Sequence, residues 1–196
     1  MKQILATFLT LLVLAGVSLG QSTHWRLDKA HSGVNFSVAH LVISEVTGLF
    51  SDYNVTVVSD KDDFTDANVN VVIKTASINT QVEKRDQHLR SDDFFNSEKF
   101  PDMTFVGKKI EKIEDKEYVL VGDLTIRDIT KEVRLDVLLG GITQDPRGNT
   151  RAGFKITGEV DRFAFGLKWN AATEAGGLVA GKTIEIVCNI EIIKPK

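Results

Sequence analysis

Apolar and polar residues alternate with a period of two along most of the chain. Residues 117–127, 131–140 and 183–193 each keep their apolar side chains in one phase, and 34–38 and 53–58 do so over shorter stretches. This pattern is typical of antiparallel strands that bury one face and expose the other. Seven to nine such strands with little helix predict a sandwich or a closed barrel. Long strands joined by short turns favour a single barrel of about eight strands, which has room for one small ligand.

One segment, near residues 81–97, interrupts the strand pattern. Thr80 and Glu83 have the spacing of a capping box, in which the Thr hydroxyl accepts a hydrogen bond from the Glu amide. The apolar and polar residues that follow recur at helical spacing. We therefore predict a helix over about 81–90 and a short helical turn over 92–97.

Composition narrows the classes of function. The chain has 196 residues and a net charge of -3, so it has no basic surplus with which to neutralise a phosphate backbone, and we expect no nucleic-acid partner. A single cysteine, Cys188, excludes an intrachain disulfide and a cysteine-rich zinc site. Because Cys188 shares its phase with the apolar residues of 183–193, we predict an inert thiol that faces the interior.

The first twenty residues have the composition of a secretory signal peptide. Lys2 provides a positive start, an apolar run follows, and Ser18 and Gly20 are small residues before a cleavage point. We predict a signal peptide over 1–20 and one mature domain over 21–196, located in a periplasm or secreted. An uncleaved N-terminal anchor is the alternative.

Phenylalanine supplies most of the aromatic residues. The chain has 11 Phe against two Trp and two Tyr, and Phe can line a dry cavity without a polar atom that needs a partner. Alternation alone selects the interior positions, and a solidly packed core remains the alternative interpretation. The predicted wall consists of Phe36, Val38, Phe50, Phe105, Leu124, Phe154, Phe163, Phe165 and Trp169.

Six segments in collinear order resemble the YceI-like family over nearly all of residues 23–193. They are WRLD at 25–28 followed by His31-Ser32, FSVAH at 36–40 with GLF at 48–50, RDQHLRSDDFF at 85–95, FPDMTF at 100–105, GDLTIRDITK at 122–131, and DRFAFGL at 161–167. The resemblance implies a lipocalin-like antiparallel barrel with a helical insert. It also implies a secreted or periplasmic protein that holds a polyisoprenoid or another long amphiphile inside the barrel.

Two functional hypotheses follow. The first is a periplasmic or secreted protein that sequesters or carries an isoprenoid quinone-like or other long-chain lipid, with no cofactor besides that ligand. Its partners would be the lipid and, transiently, a membrane or membrane redox proteins. The second is a packed-barrel structural or stress-response interaction protein without a bound lipid. The oligomeric state is open, a homodimer included.

Seven polar residues at positions of the resemblance form one more candidate group. We predict that most of them join the helical insert to the barrel rim through hydrogen bonds, while contact with a ligand head group is the alternative. The histidine spacings fit no metal-ligand motif. A triad within residues 28–32 is too local for catalytic geometry, so we predict no enzyme activity. The group consists of Asp28, His31, Ser32, His40, Arg85, Asp86 and His88.

Overall fold

Eleven strand segments form one sheet that closes into an antiparallel barrel of eight strands with one helix, as the sequence predicts. The computed structural model describes residues 22–171, 178–194 and 196. The predicted signal peptide, residues 1–20, lies outside these residues. The strands are β1 (His24–Leu27), β2 (Gly33–His40), β3 (Ser44–Phe50), β4 (Tyr53–Val58), β5 (Asn68–Lys74), β6 (Ile78–Asn79), β7 (Asp102–Glu114), β8 (Glu117–Ile126), β9 (Ile129–Gln144), β10 (Thr150–Asp161) and β11 (Ala180–Lys194).

The last strand closes the barrel. β11 pairs with β10 over twelve positions on one side, and on the other side it pairs with β2 and then with β1. A 3₁₀ turn at Lys29–His31 separates β1 from β2, so these two segments act as one bent strand. β3 and β4 do the same, since β3 pairs with β2 and β4 with β1. The bends let eight strands enclose one apolar interior.

The insert contains one helix, α1 (Glu83–Arg90), which confirms the predicted helix but not its cap. The N-cap residue is Val82, and it makes no side-chain capping bond. The Thr80 hydroxyl is engaged elsewhere, with Arg85 and Asp86, so the predicted capping box does not form. The predicted helical turn over 92–97 is also wrong, because that stretch consists of hydrogen-bonded turns.

One end of the barrel is closed by the loop between β4 and β5. Phe64, in this loop, is only 2% exposed and packs against the rings of Trp25 and Phe154, with centroids 5.1 and 5.0 Å away. The Trp25 indole N–H donates to the carbonyl of Ser59 at 3.1 Å. Asp66 accepts from the Ser59 hydroxyl and from the two amides that follow it, at 2.6, 3.1 and 3.4 Å. These bonds fix the loop across this end, which we call the closed end.

No helix of the described residues is both long and apolar enough to span a membrane.

Candidate functional site

The interior of the barrel holds a cavity of about 690 Å³. This volume lies within the roughly 300–1,000 Å³ that small-molecule sites occupy. Apolar side chains from every strand segment except β1 line it, as the period of two in the sequence requires. Seven of the nine residues predicted for the wall lie on it: Phe36, Val38, Phe50, Phe105, Leu124, Phe154 and Trp169.

Phe163 and Phe165 were predicted for the wall and do not line the cavity. β10 ends at Asp161, whose carboxylate accepts from the Phe163 amide and starts a 3₁₀ turn over Arg162–Phe165. The period of two therefore stops before these residues. Phe165 is 2% exposed and belongs to the packed core, while the ring of Phe163 lies 4.3 Å under the Arg162 guanidinium.

Two glycines allow aromatic rings to lie flat against the wall. A Cβ placed on Gly48 would come within 2.4 Å of the Phe36 ring, and one on Gly122 within 2.4 Å of the Phe105 ring. Gly48 is the cross-strand partner of Phe36, so both point to the same side of the sheet. The missing side chains leave room for the rings beside the sheet, and the centre of the barrel stays open.

The other end of the barrel, which we call the mouth, is covered by the helical insert and the segment after β10. The rings of His88, Phe94 and Trp169 lie 5.1 to 5.5 Å apart, and all three line the cavity. The His88 imidazole also lies 2.8 Å from the carboxylate of Asp93 and is 40% exposed. The contacts across the mouth are thus between rings, apart from the Arg162 guanidinium, which lies 6.0 Å from the centroid of the Phe94 ring.

Arg85 lines the cavity at the mouth and is held by Thr80. Its Nε donates to the Thr80 hydroxyl at 2.7 Å, and its Nη2 donates to the Thr80 carbonyl at 2.8 Å. The Thr80 hydroxyl and amide in turn donate to the buried carboxylate of Asp86, at 2.5 and 2.9 Å. Arg85, Thr80 and Asp86 therefore form one connected unit.

Arg162 is the second arginine at the mouth, and it has a different environment. It is 3% exposed and donates to the carbonyls of Leu167, Trp169, Ala180 and Gly181 at 2.6 to 3.0 Å. Burial lowers the pKa of its guanidinium. Arg162 thereby ties the segment that carries Trp169 to the start of β11.

The polar residues predicted as one cluster separate into two groups and one single residue. Asp28, His31 and Ser32 lie on the outside of the barrel at the bend between β1 and β2. Arg85, Asp86 and His88 lie at the mouth. His40 ends β2 and lines the cavity beside Ala180, its partner across the strands. The prediction that the first group joins the helical insert to the rim is therefore wrong for Asp28, His31 and Ser32, which the bend places elsewhere.

The outer group is an ion-pair network around Arg151. Arg151 Nη1 lies 2.6 Å from Asp28 and 2.5 Å from Glu191, and its Nε lies 3.1 Å from Asp145. The hydrogen bond with Arg151, with a smaller contribution from His31, lowers the pKa of Asp28 to about 2. Asp28, His31 and Glu191 are close enough together to hold a metal ion, but both carboxylates are already paired with the Arg151 guanidinium.

The thiol of Cys188 faces the interior, as predicted. Cys188 is 9% exposed, lines the cavity, and has Val34 and Ile156 as its cross-strand neighbours. Burial raises its pKa to about 11, so the reactive thiolate is scarce near neutral pH.

Comparison with known proteins identifies the family to which this barrel belongs. Residues 25–192 match the YceI-like domain. A UPF0312 protein of Staphylococcus aureus is 38% identical over 170 residues, which cover 86% of this chain and 96% of that relative. The chain belongs to the YceI-like family. The structure of the YCEI protein of Campylobacter jejuni superposes with a TM-score of 0.65 at 35% identity, covering 81% of this chain and 89% of that one.

A more distant neighbour shares the fold of this YceI-like chain. It is a polyisoprenoid-binding domain from Saccharophagus degradans, with a TM-score of 0.60 and 15% identity, covering 89% of this chain and 100% of that domain.

Several residues that shape the site of this YceI-like protein were not singled out from the sequence. Phe64, Phe94 and Phe95 line the cavity from loops and turns, where alternation gives no signal. Arg162 lies within the aromatic-glycine segment of the resemblance, but the pattern assigned it no role. A buried arginine beside aromatic residues at the end of a strand was the one available signal.

Proposed function

We propose that this chain binds a polyisoprenoid, such as an isoprenoid quinone, or another long-chain amphiphilic lipid inside the barrel, and sequesters or carries it. The observation that carries the proposal is the continuous apolar cavity of about 690 Å³. Apolar surface removed from water contributes about 25 cal/mol per Å², so a long hydrocarbon chain is the ligand that gains most here. Membership of the YceI-like family and the fold shared with a polyisoprenoid-binding domain support it.

The alternative, a solidly packed barrel, does not fit a cavity of this size. The flat seating of Phe36 and Phe105 over glycines keeps the interior open, whereas a packed core would turn such rings inwards.

The test is organic extraction of the full chain purified from its native host, followed by mass analysis. We expect a stoichiometric apolar species with an isoprenoid or acyl tail. Substituting Phe154 with Asp should abolish its recovery, because an unpaired charge in a dry cavity is strongly unfavourable. Protein without extractable lipid that also takes up no added quinone would overturn the proposal.

We also propose that the protein works in a periplasm or after secretion and meets a membrane through the turn between β2 and β3. Val42 and Ile43 in this turn are 81% and 85% exposed. The turn lies beside the mouth, because the Leu41 amide donates to the carbonyl of Val179, which lines the cavity. Exposed apolar side chains next to the opening suit contact with the interface of a bilayer.

Sedimentation with phosphatidylcholine vesicles tests this contact. Replacing Val42 and Ile43 with Ser should weaken vesicle binding and slow the transfer of lipid into the protein. Ile113→Ser is the matched control, because Ile113 is 57% exposed but lies towards the far end of β7. Equal binding by the turn variant and the control would contradict a role for the turn.

A further inference from the structure

Acidic and basic side chains are unevenly distributed over the cavity wall. Among the described residues on its wall, none is an aspartate or glutamate. Three residues with a full or potential positive charge, Lys84, Arg85 and His88, come from α1. His40 and Arg162 also belong to the mouth, while the wall below is apolar apart from Asn35 and Cys188. A chain inserted from the mouth would leave its head group among basic side chains.

Arg85 and Arg162 differ in whether a guanidinium N–H group remains without an acceptor among the described residues. The Arg162 guanidinium donates hydrogen bonds to four backbone carbonyls and therefore has a structural role. Arg85 uses Nε and Nη2 on Thr80 alone, and its Nη1 donates to no group in the described part of the chain. Arg85 also takes part in none of the ion pairs among the described residues, whereas Arg90, Arg127 and Arg151 each form at least one.

The unit behind Arg85 holds the guanidinium in place. Asp86 fixes Thr80 with two hydrogen bonds, and Thr80 fixes Arg85 with two more. Asp86 is 4% exposed and does not line the cavity, so its carboxylate stands behind Thr80 and leaves the cavity side of Arg85 open. A donor held in this way loses little side-chain entropy when an acceptor arrives.

We propose, building on the proposed lipid-binding function, that the mouth selects amphiphiles with an anionic oxygen head group. Arg85 Nη1 donates to the carboxylate or phosphate oxygen, and Lys84 adds positive potential around it. Arginine is well suited to such acceptors, because its planar N–H groups form charge-assisted hydrogen bonds with them. A neutral head would bind less tightly, and a cationic head would be repelled.

The test compares four amphiphiles with the same saturated chain: hexadecanoate, hexadecyl phosphate, hexadecanol and hexadecylamine. Equilibrium dialysis measures the binding of each by the full chain. We expect the two anions to bind about tenfold or more tightly than the alcohol, which is the range for a hydrogen bond to a charged group, and the amine to bind least. The ratio between hexadecanoate and hexadecyl phosphate identifies which anion the mouth prefers.

The variants separate the head group from the chain. Arg85→Gln should remove the preference for anions while hexadecanol binds as before, and Arg85→Lys should keep part of the preference. Arg134→Gln is the matched control, since Arg134 is 62% exposed on the outer wall, where its charge makes only a weak pair with Glu111. Circular dichroism and the retained binding of hexadecanol show that each variant is folded.

The outcomes distinguish this inference from the function on which it rests. Equal affinity for all four amphiphiles, or an anion preference that survives Arg85→Gln, would overturn the head-group selection alone. Failure of every amphiphile to bind would overturn the lipid-binding proposal and the selection with it.

Discussion

The two ends of the barrel are closed in different ways. At the closed end, Phe64 is 2% exposed, Trp25 donates a hydrogen bond to the Ser59 carbonyl, and Asp66 accepts one from the Ser59 hydroxyl. At the mouth, the elements that meet are joined across the opening by ring contacts, and the imidazole of His88 is 40% exposed. Directional hydrogen bonds fix a loop, whereas ring contacts of about 0.5–1.5 kcal/mol each can break and re-form.

Under the proposed function, this difference makes the mouth the expected point of ligand entry and release. A carrier needs one end that stays shut and another that opens at small free-energy expense. The chain contains two tryptophans, and the structure places Trp25 at the closed end and Trp169 at the mouth. Variants that retain one tryptophan, Trp25→Phe and Trp169→Phe, therefore report on each end separately by fluorescence.

The largest expected effect is at the closed end. Phe64→Ala should destabilise the protein by about 3–5 kcal/mol, because it removes a fully buried ring and leaves a void. Trp169→Ala at the mouth should lower the free energy of unfolding by about 1–2 kcal/mol, since it loses two ring contacts at a partly exposed position. Urea unfolding followed by circular dichroism measures both.

The same two variants also test the difference between the two ends through its effect on ligand binding. Trp169→Ala should accelerate the release of a bound amphiphile, while Phe64→Ala should act mainly on stability. Equal losses of stability at the two ends would show that the mouth is as firmly closed as the other end.

The sequence predicts the wall of the barrel better than its ends, and the reason is physical. A period of two fixes which side of a long strand faces inwards, so Phe36, Phe105 and Phe154 were placed correctly on the cavity. Phe163 and Phe165 were misplaced because a carboxylate cap turns the chain into a 3₁₀ turn after β10. Alternation alone does not register such a cap.

The polar residues also make contacts that the sequence pattern does not predict. The bend between β1 and β2 moves Asp28 to the outer wall beside Arg151, more than one hundred residues away in sequence. The Thr80 hydroxyl had a local partner available in a capping box, yet the tertiary contacts with Arg85 and Asp86 prevail. Partners of this kind depend on the closure of the barrel, which period and propensity do not specify.

The second prediction concerns the bonds that hold the closed end. Asp66→Ala should cost about 1–2 kcal/mol, because the Ser59 hydroxyl and two amides lose their acceptor, while water screens the exposed carboxylate. The hydrogen bond from Ser59 is the largest of the effects that lower the pKa of Asp66. A lowered pKa in the folded state means that this stabilisation is present above the ordinary value, near 3.8, and is lost as the pH falls through the lowered value.

Acid should therefore loosen the closed end in a way that depends on Asp66. In the Trp169→Phe variant, the emission of Trp25 should shift to the red as the pH falls below about 4. Adding Asp66→Asn should produce most of that shift at neutral pH. Trp25 emission that is unaffected by Asp66→Asn would show that the ring packing of Phe64 alone closes this end.

The third prediction concerns the width of the cavity between the ends. Gly48→Ala places a Cβ 2.4 Å from the Phe36 ring and 2.9 Å from the Thr80 methyl group. The ring must move into the cavity, so we expect a loss of about 1–2 kcal/mol in stability and weaker binding of long chains. Equilibrium dialysis with hexadecanol measures the binding.

Gly153→Ala is the matched control for this change. Gly153 lies in β10, and a Cβ there would meet no atom within 4 Å. The same chemical substitution should therefore leave binding unchanged. A loss of binding in the control as large as that in Gly48→Ala would assign the effect to the strand backbone instead of the Phe36 ring.

The smallest expected effect is measured with the native thiol as a reporter of opening. Cys188 lies inside the barrel, and burial raises its pKa to about 11, so at pH 8 an apolar maleimide should label the folded protein far more slowly than the unfolded chain. If reagent enters through the mouth, Trp169→Ala should accelerate labelling and bound amphiphile should suppress it. Mass spectrometry of the labelled fraction over time measures the rate. Labelling that is faster in Asp66→Asn than in Trp169→Ala would mean that the loop carrying Phe64 is the entrance, and the assignment of the two ends would be reversed.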